Sequence, residues 1–160
     1  MKLMQASAAL ALCLAVLPLQ AEPLLPLNEL FQRPLGPRGL SYAPQAQALD
    51  GQRVELRGYM VQREAPLPGR FLLTPVPVRL SEHDDGPADD LPAATVTVLL
   101  DPSQQQRLLV HQAGPLRLRG VLRLGRDEGP DGRVSWARLQ LDADALSPEP
   151  LAAAAPTHSH

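Results

Sequence analysis

The densest set of side chains able to hold an ion is Glu82-His83-Asp84-Asp85, with Asp89-Asp90 shortly after. An imidazole with carboxylates suits Zn²⁺, or Mn²⁺ where more oxygens contribute. These groups could reach one ion only through a tight turn, which Gly86-Pro87 could supply. The spacing does not match a calcium-binding EF-hand loop. The alternative is a solvated acidic loop between two strands. His158 and His160 add two imidazoles near the carboxyl terminus. Alternating histidines at a mobile end bind transition metals weakly and indiscriminately, or do nothing. Zinc is the first cofactor candidate, and none is required by the pattern.

A second group is basic. Arg117, Arg119 and Arg123 alternate along one stretch, and Arg53, Arg57 and Tyr59 alternate along another. Side by side they would make a docking face for an acidic partner. The alternative is a charged, soluble exterior with Arg opposite Glu55 or Glu64. Single-stranded nucleic acid would need aromatic stacking platforms. The strands offer only Tyr59, Phe71 and Trp136, and Trp136 is expected in the core. Nucleic acid is therefore not expected.

Catalytic signals are sparse. Ser81 and Ser135 lack the Gly-x-Ser-x-Gly context of a nucleophile elbow. Ser81, His83 and their acidic neighbours sit too close together in one loop to hold a triad's geometry. The pairs Asp84-Asp85 and Asp89-Asp90 are exposed by composition, so no raised pKa is implied. No enzyme is expected. His111 falls at the end of an expected helix, where it would complement the dipole.

The elements that position these groups follow from periodicity. After the turn signal Asp50-Gly51, the residues Val54, Leu56, Gly58 and Met60 alternate with Arg53, Glu55, Arg57 and Tyr59. That is a half-buried strand, and Gly58 inside it marks a bend or bulge. Strand one is expected over 53–62 and strand two over 70–78, with Pro75 and Pro77 arguing for an edge or a bulged end. Strand three is expected over 95–100. Asp101-Pro102 should then start a helix over 104–111, which Gly114-Pro115 stops. Strand four is expected over 116–124. Strand five spans 134–141, with a change of apolar phase at Trp136 suggesting a bulge.

The order β-β-β-α-β-β predicts an all-β fold: a small five-stranded OB-like barrel with one short helix. The competitor is an open antiparallel sheet with a covering helix. An OB barrel usually binds across the face of strands two and three and the adjacent loops. Residues 22–48 carry many prolines and predict an extended arm rather than packed regular structure, with short helical turns at 28–32 and 44–49. The barrel is expected over 49–143 and a flexible Ala/Pro/His tail over 144–160.

Lys2, the apolar run 8–19 and Leu19-Gln20-Ala21 read as a signal peptide cleaved after Ala21. A periplasmic or secreted chain is expected, with no membrane span once the leader is removed. Cys13, the only cysteine, lies inside the leader, so the exported form would have no disulfide. Lys2 is the only lysine. Without the leader, 14 arginines face 17 acidic residues. That balance matches neither a strongly basic nor a strongly acidic binding protein.

The pattern over 49–100 resembles a group of uncharacterised bacterial envelope proteins. Their first strand reads D-G-x-x-V-x-[LI]-x-G-Y-M, matched here by Asp50-Gly51, Val54 and Gly58-Tyr59-Met60. A strand ending F-[FL]-L-T corresponds to Phe71 through Thr74, and the later acidic element and Val-rich strand to Asp89-Asp90 and 95–100. Many members carry Cys-Pro-x-Cys or Cys-Ile-His in the intervening loop, which looks like a metal site. This chain has Ser81-Glu82-His83-Asp84-Asp85 there, without cysteine. Some members accompany envelope transport systems linked to metal supply. The leader, the strand order and the sparse catalytic signals predict an exported, non-enzymatic binding or adaptor module with an envelope protein partner, and the resemblance implies one accessory to a transport system. The alternatives are a zinc-handling protein and an OB-type oligosaccharide or nucleic-acid binder.

Overall fold

Val54 and Leu56 are fully buried and Met60 nearly so, as the alternation around them requires. They lie on β2 (Arg53–Met60), which is bent enough to serve two neighbours. The structure, a computed structural model, describes residues 21–34, 37, 39–80 and 91–146. From Arg53 to Tyr59, β2 pairs antiparallel with β7 (Pro115–Glu128). At Tyr59 and Met60 it also pairs with β4 (Arg70–Thr74). Next to β4 lies β6 (Val96–Leu99), antiparallel to it. Then comes β8 (Val134–Leu141), parallel to β6 and antiparallel to β7. The circuit β2-β4-β6-β8-β7-β2 is closed, which gives the expected five-stranded OB-like barrel. Closure pairs the edges that an open sheet would expose. Leu73, Val96, Val98, Leu122 and Leu139 fill the interior.

Gly58 is where β2 turns from one partner to the other. A Cβ there would stand 2.7 Å from the Thr74 carbonyl oxygen and 2.8 Å from Leu27 Cδ1. Only a residue without a side chain lets the three elements approach so closely.

The proline-rich arm differs from its expectation. It contributes β1 (Leu24–Pro26), parallel to β2 from Leu24↔Glu55 to Pro26↔Arg57. A 3-10 turn over Leu27–Glu29 follows. Leu25, Leu27 and Leu30 are buried in the barrel's own core. Apolar burial outweighs the prolines here, because an edge strand tolerates residues without a backbone N–H. A short helix, α1 (Pro44–Ala48), then leads into β2. Phe31 and Tyr42 stack at 5.2 Å just before it.

Three other expectations need correction. The stretch after β6 forms only a 3-10 turn, Pro102–Gln104, capped by the Asp101 carboxylate accepting from the Ser103 amide. The helix expected over 104–111 does not form, so His111 caps nothing. Leu108 and Val110 are exposed and only Leu109 packs on the core, too little apolar surface to hold an isolated short helix. The Arg107 carbonyl instead accepts from the Gly69 amide. On β8, Ser135, Ala137, Leu139 and Leu141 are buried without a break in the alternation, Ser135 against Thr97. The irregularity lies on the partner strand, between Leu124 and Asp127 of β7. Trp136 therefore has outward parity and is 40% exposed rather than core.

Candidate functional site

Beyond Met60 the chain bends into β3 (Gln62–Arg63), which pairs in parallel with β5 (Arg79–Leu80). Loop 64–69 then returns to β4. Across from it, turn 129–132 joins β7 to β8. The Gly129 amide donates to the Arg133 carbonyl at 2.8 Å, and Gly132 adopts φ +75°, which closes the tip tightly. Between these loops lies a cleft of about 400 Å³. Its floor is the outer surface of β4 and β6, where Leu72 stands opposite Thr97 in the ladder. Val61, Leu72 and Leu80 form a small apolar cluster behind it. Leu108 and Val110, 59% and 85% exposed, line its rim.

The polar groups of the cleft are few and well placed. Arg63 Nη1 donates to Asp131 Oδ2 at 2.8 Å, and Arg133 Nε approaches the same oxygen at 3.5 Å. All three side chains are largely shielded from water. Burial pushes the Asp131 carboxyl up, but the Arg63 hydrogen bond and the Arg133 amide outweigh it and hold it below its ordinary value. Thr97 Oγ1 and Ser135 Oγ lie 2.7 Å apart, both buried, and Ser135 also donates to the Ala137 carbonyl. His111 Nε2 lies 3.1 Å from the Met60 carbonyl oxygen. Arg70, half-buried in the wall, reaches toward Gly129. Its guanidinium has no hydrogen bond or ion pair among the described residues.

The basic stripe is elsewhere. Arg117 and Arg119 lie on β7 and both donate to Glu55 across the β2–β7 ladder, at 3.0 and 3.3 Å. Arg57 adds a third contact at 3.2 Å. Glu55 is buried although its parity is outward, because three arginines and β1 cover it. Its burial raises the carboxyl pKa, and the hydrogen bonds from Arg117 and Arg57 more than reverse that, leaving it lowered. Arg123 is exposed on the same strand, and Tyr59 is half-buried at the β2 bend. Thus Arg117 and Arg119 meet around one carboxylate. None of these four residues lines the cleft.

The proposed metal ligands Glu82, His83, Asp84, Asp85, Asp89 and Asp90 lie outside the described residues, as do His158, His160 and residues 1–20 of the leader. Among the described residues no three of His, Cys, Asp and Glu come together as a metal site. Also among them, no helix is long and apolar enough to cross a membrane. Sequence reasoning did not single out Arg63, Arg70, Asp131 and Arg133. Asp131 carried a turn signal and Arg70 opened a strand, but nothing linear joins residues so far apart.

No family model matches the chain, and no curated protein matches it. Among solved structures it is similar to a DUF3299 family protein from Pseudomonas aeruginosa PAO1. The two share 18% identity at a TM-score of 0.48, over 76% of this chain and 93% of that one.

Proposed function

We propose that this chain is a non-enzymatic binding module of the bacterial envelope whose ligand enters the cleft between loop 64–69 and turn 129–132. One observation carries this reading: a cleft of about 400 Å³, mostly apolar with a few convergent polar groups, lies across β4 and β6. Small-molecule sites have that volume and that character. The location is also where OB barrels bind, across strands two and three and the flanking loops. That agreement is an analogy of fold. Export is supported by the leader-like sequence over 1–21.

A binding role is favoured over catalysis by the state of the hydroxyls. Ser135 is bonded to Thr97 and the Ala137 carbonyl, and Ser103 to Asp101. Asp101 serves as the cap of the 3-10 turn, and the His111 ring contacts the Met60 carbonyl. Neither serine therefore has the histidine base of a hydrolase nucleophile among the described residues.

Fragment screening by amide chemical-shift perturbation tests the proposal. Hits are expected to move the amides of Val61, Thr97 and Ser135. Shifts confined to the Arg117–Arg119 stripe, or absent throughout, would count against the cleft.

A further inference from the structure

We infer that the cleft recognises an amphiphilic monocarboxylate, a medium-length alkyl chain with one ionised head, and that Arg70 binds the head. This rests on the cleft being the binding site. Three observations lead to the chemistry. The first is the wall: Val61, Leu67, Leu72, Leu91, Leu108 and Val110 offer an apolar surface from floor to rim. Its exposed leucine and valine at the mouth gain most from a covering hydrocarbon.

The second is charge. Arg63 and Arg133 are engaged by Asp131, which fixes the two loops and leaves the carboxylate no role toward a ligand head. Arg70, in the same wall, has a guanidinium with no hydrogen bond or ion pair among the described residues. A half-buried arginine in an apolar wall favours a carboxylate partner, which it can hold through two parallel N–H donors.

The third excludes competitors. Sugars require many donors and acceptors, and this wall is mainly hydrocarbon. Nucleobases require exposed aromatic faces, yet Phe71, the aromatic in the wall, is only 6% exposed.

The test is calorimetric titration of the full protein at pH 7 with decanoate and with decanol, both below their aggregation concentrations. One charge-assisted contact predicts that decanoate binds about tenfold or more tighter than decanol. Arg70→Met should bring decanoate down to the affinity of decanol and leave decanol unchanged. Arg70→Lys should retain part of the preference, and it covers the case in which Arg70→Met does not fold. Leu67→Trp, at the mouth, should weaken both ligands together.

Equal affinity for the two probes overturns the role of Arg70 but leaves the cleft as the site. Binding of neither probe, with fragments still shifting cleft amides, overturns the ligand class alone. A preference that survives Arg70→Met places the head elsewhere and overturns the assignment. Fragment shifts away from the cleft overturn the underlying reading instead.

Discussion

Arg63 and Asp131 stand 68 residues apart in the chain, yet Nη1 and Oδ2 are 2.8 Å apart in the fold. The pair ties the bend after β2 to the turn between β7 and β8, the two structures that flank the cleft. Both side chains are mostly buried, so the contact is shielded more than a surface ion pair. A buried pair adds little over an apolar substitute, but removing one partner weakens the set of contacts that holds the other in place. Its main service is to fix the relative position of two loops.

Asp131→Asn should cost about 2 kcal/mol of stability, the range for a hydrogen bond to a charged group. A double-mutant cycle with Arg63→Met, followed by urea unfolding, should give a coupling of about 1 kcal/mol or more. Additive effects, within about 0.3 kcal/mol, would mean that the two loops are positioned independently.

Gly58→Ala places a methyl group 2.7 Å from the Thr74 carbonyl and 2.9 Å from Leu73 Cγ. Neither backbone nor packed leucine can yield cheaply, so a loss of about 1–3 kcal/mol is expected. Thermal unfolding measures it. An unchanged midpoint would show that the bend in β2 relaxes more easily than the packing implies.

Leu25→Ala removes a fully buried side chain from the arm. The expected loss is about 2–5 kcal/mol, the range for leucine in a core. If the arm were a detachable extension, this variant would unfold at the wild-type denaturant concentration.

The Glu55 cluster makes a prediction about acid. Glu55 and Asp131 both titrate below their ordinary values of 4.5 and 3.8 in the folded chain. The unfolded chain therefore takes up these protons first as the pH falls. Their contribution is fully present above about pH 5 and drains away as the pH passes through the lowered folded values. Glu55→Gln should cost about 1 kcal/mol at pH 7, since its three arginines are more than half exposed and partly screened. It should also flatten the fall in melting temperature below about pH 4.5. An acid profile identical to wild type would remove Glu55 from the account.

Much of this barrel is legible in one dimension. Strand five matches its expected bounds, and strands one to four are recognisable with shifted ends. Period-2 alternation is a local property, and burial on one face of a strand enforces it. The arm and the failed helix were misread for a shared reason. Proline content argues against packing only where a backbone N–H is needed, and helical propensity argues for a helix only where a face can be buried. Leu25 found a groove beside β2, whereas Leu108 and Val110 found no core to cover.

The sequence by itself determined the five barrel strands and the bend at Gly58, and narrowed the carboxylate opposite the arginines to Glu55 or Glu64, because alternation and turn chemistry act over a few residues. The tertiary structure alone decided which loops face each other. Closing the β2-β4-β6-β8-β7 ring brought Arg63, Arg70, Asp131 and Arg133 to one cleft and carried Arg117 and Arg119 to a separate surface. Ring closure is a long-range event, driven by burying the apolar interior, and it leaves no local mark on the residues it brings together.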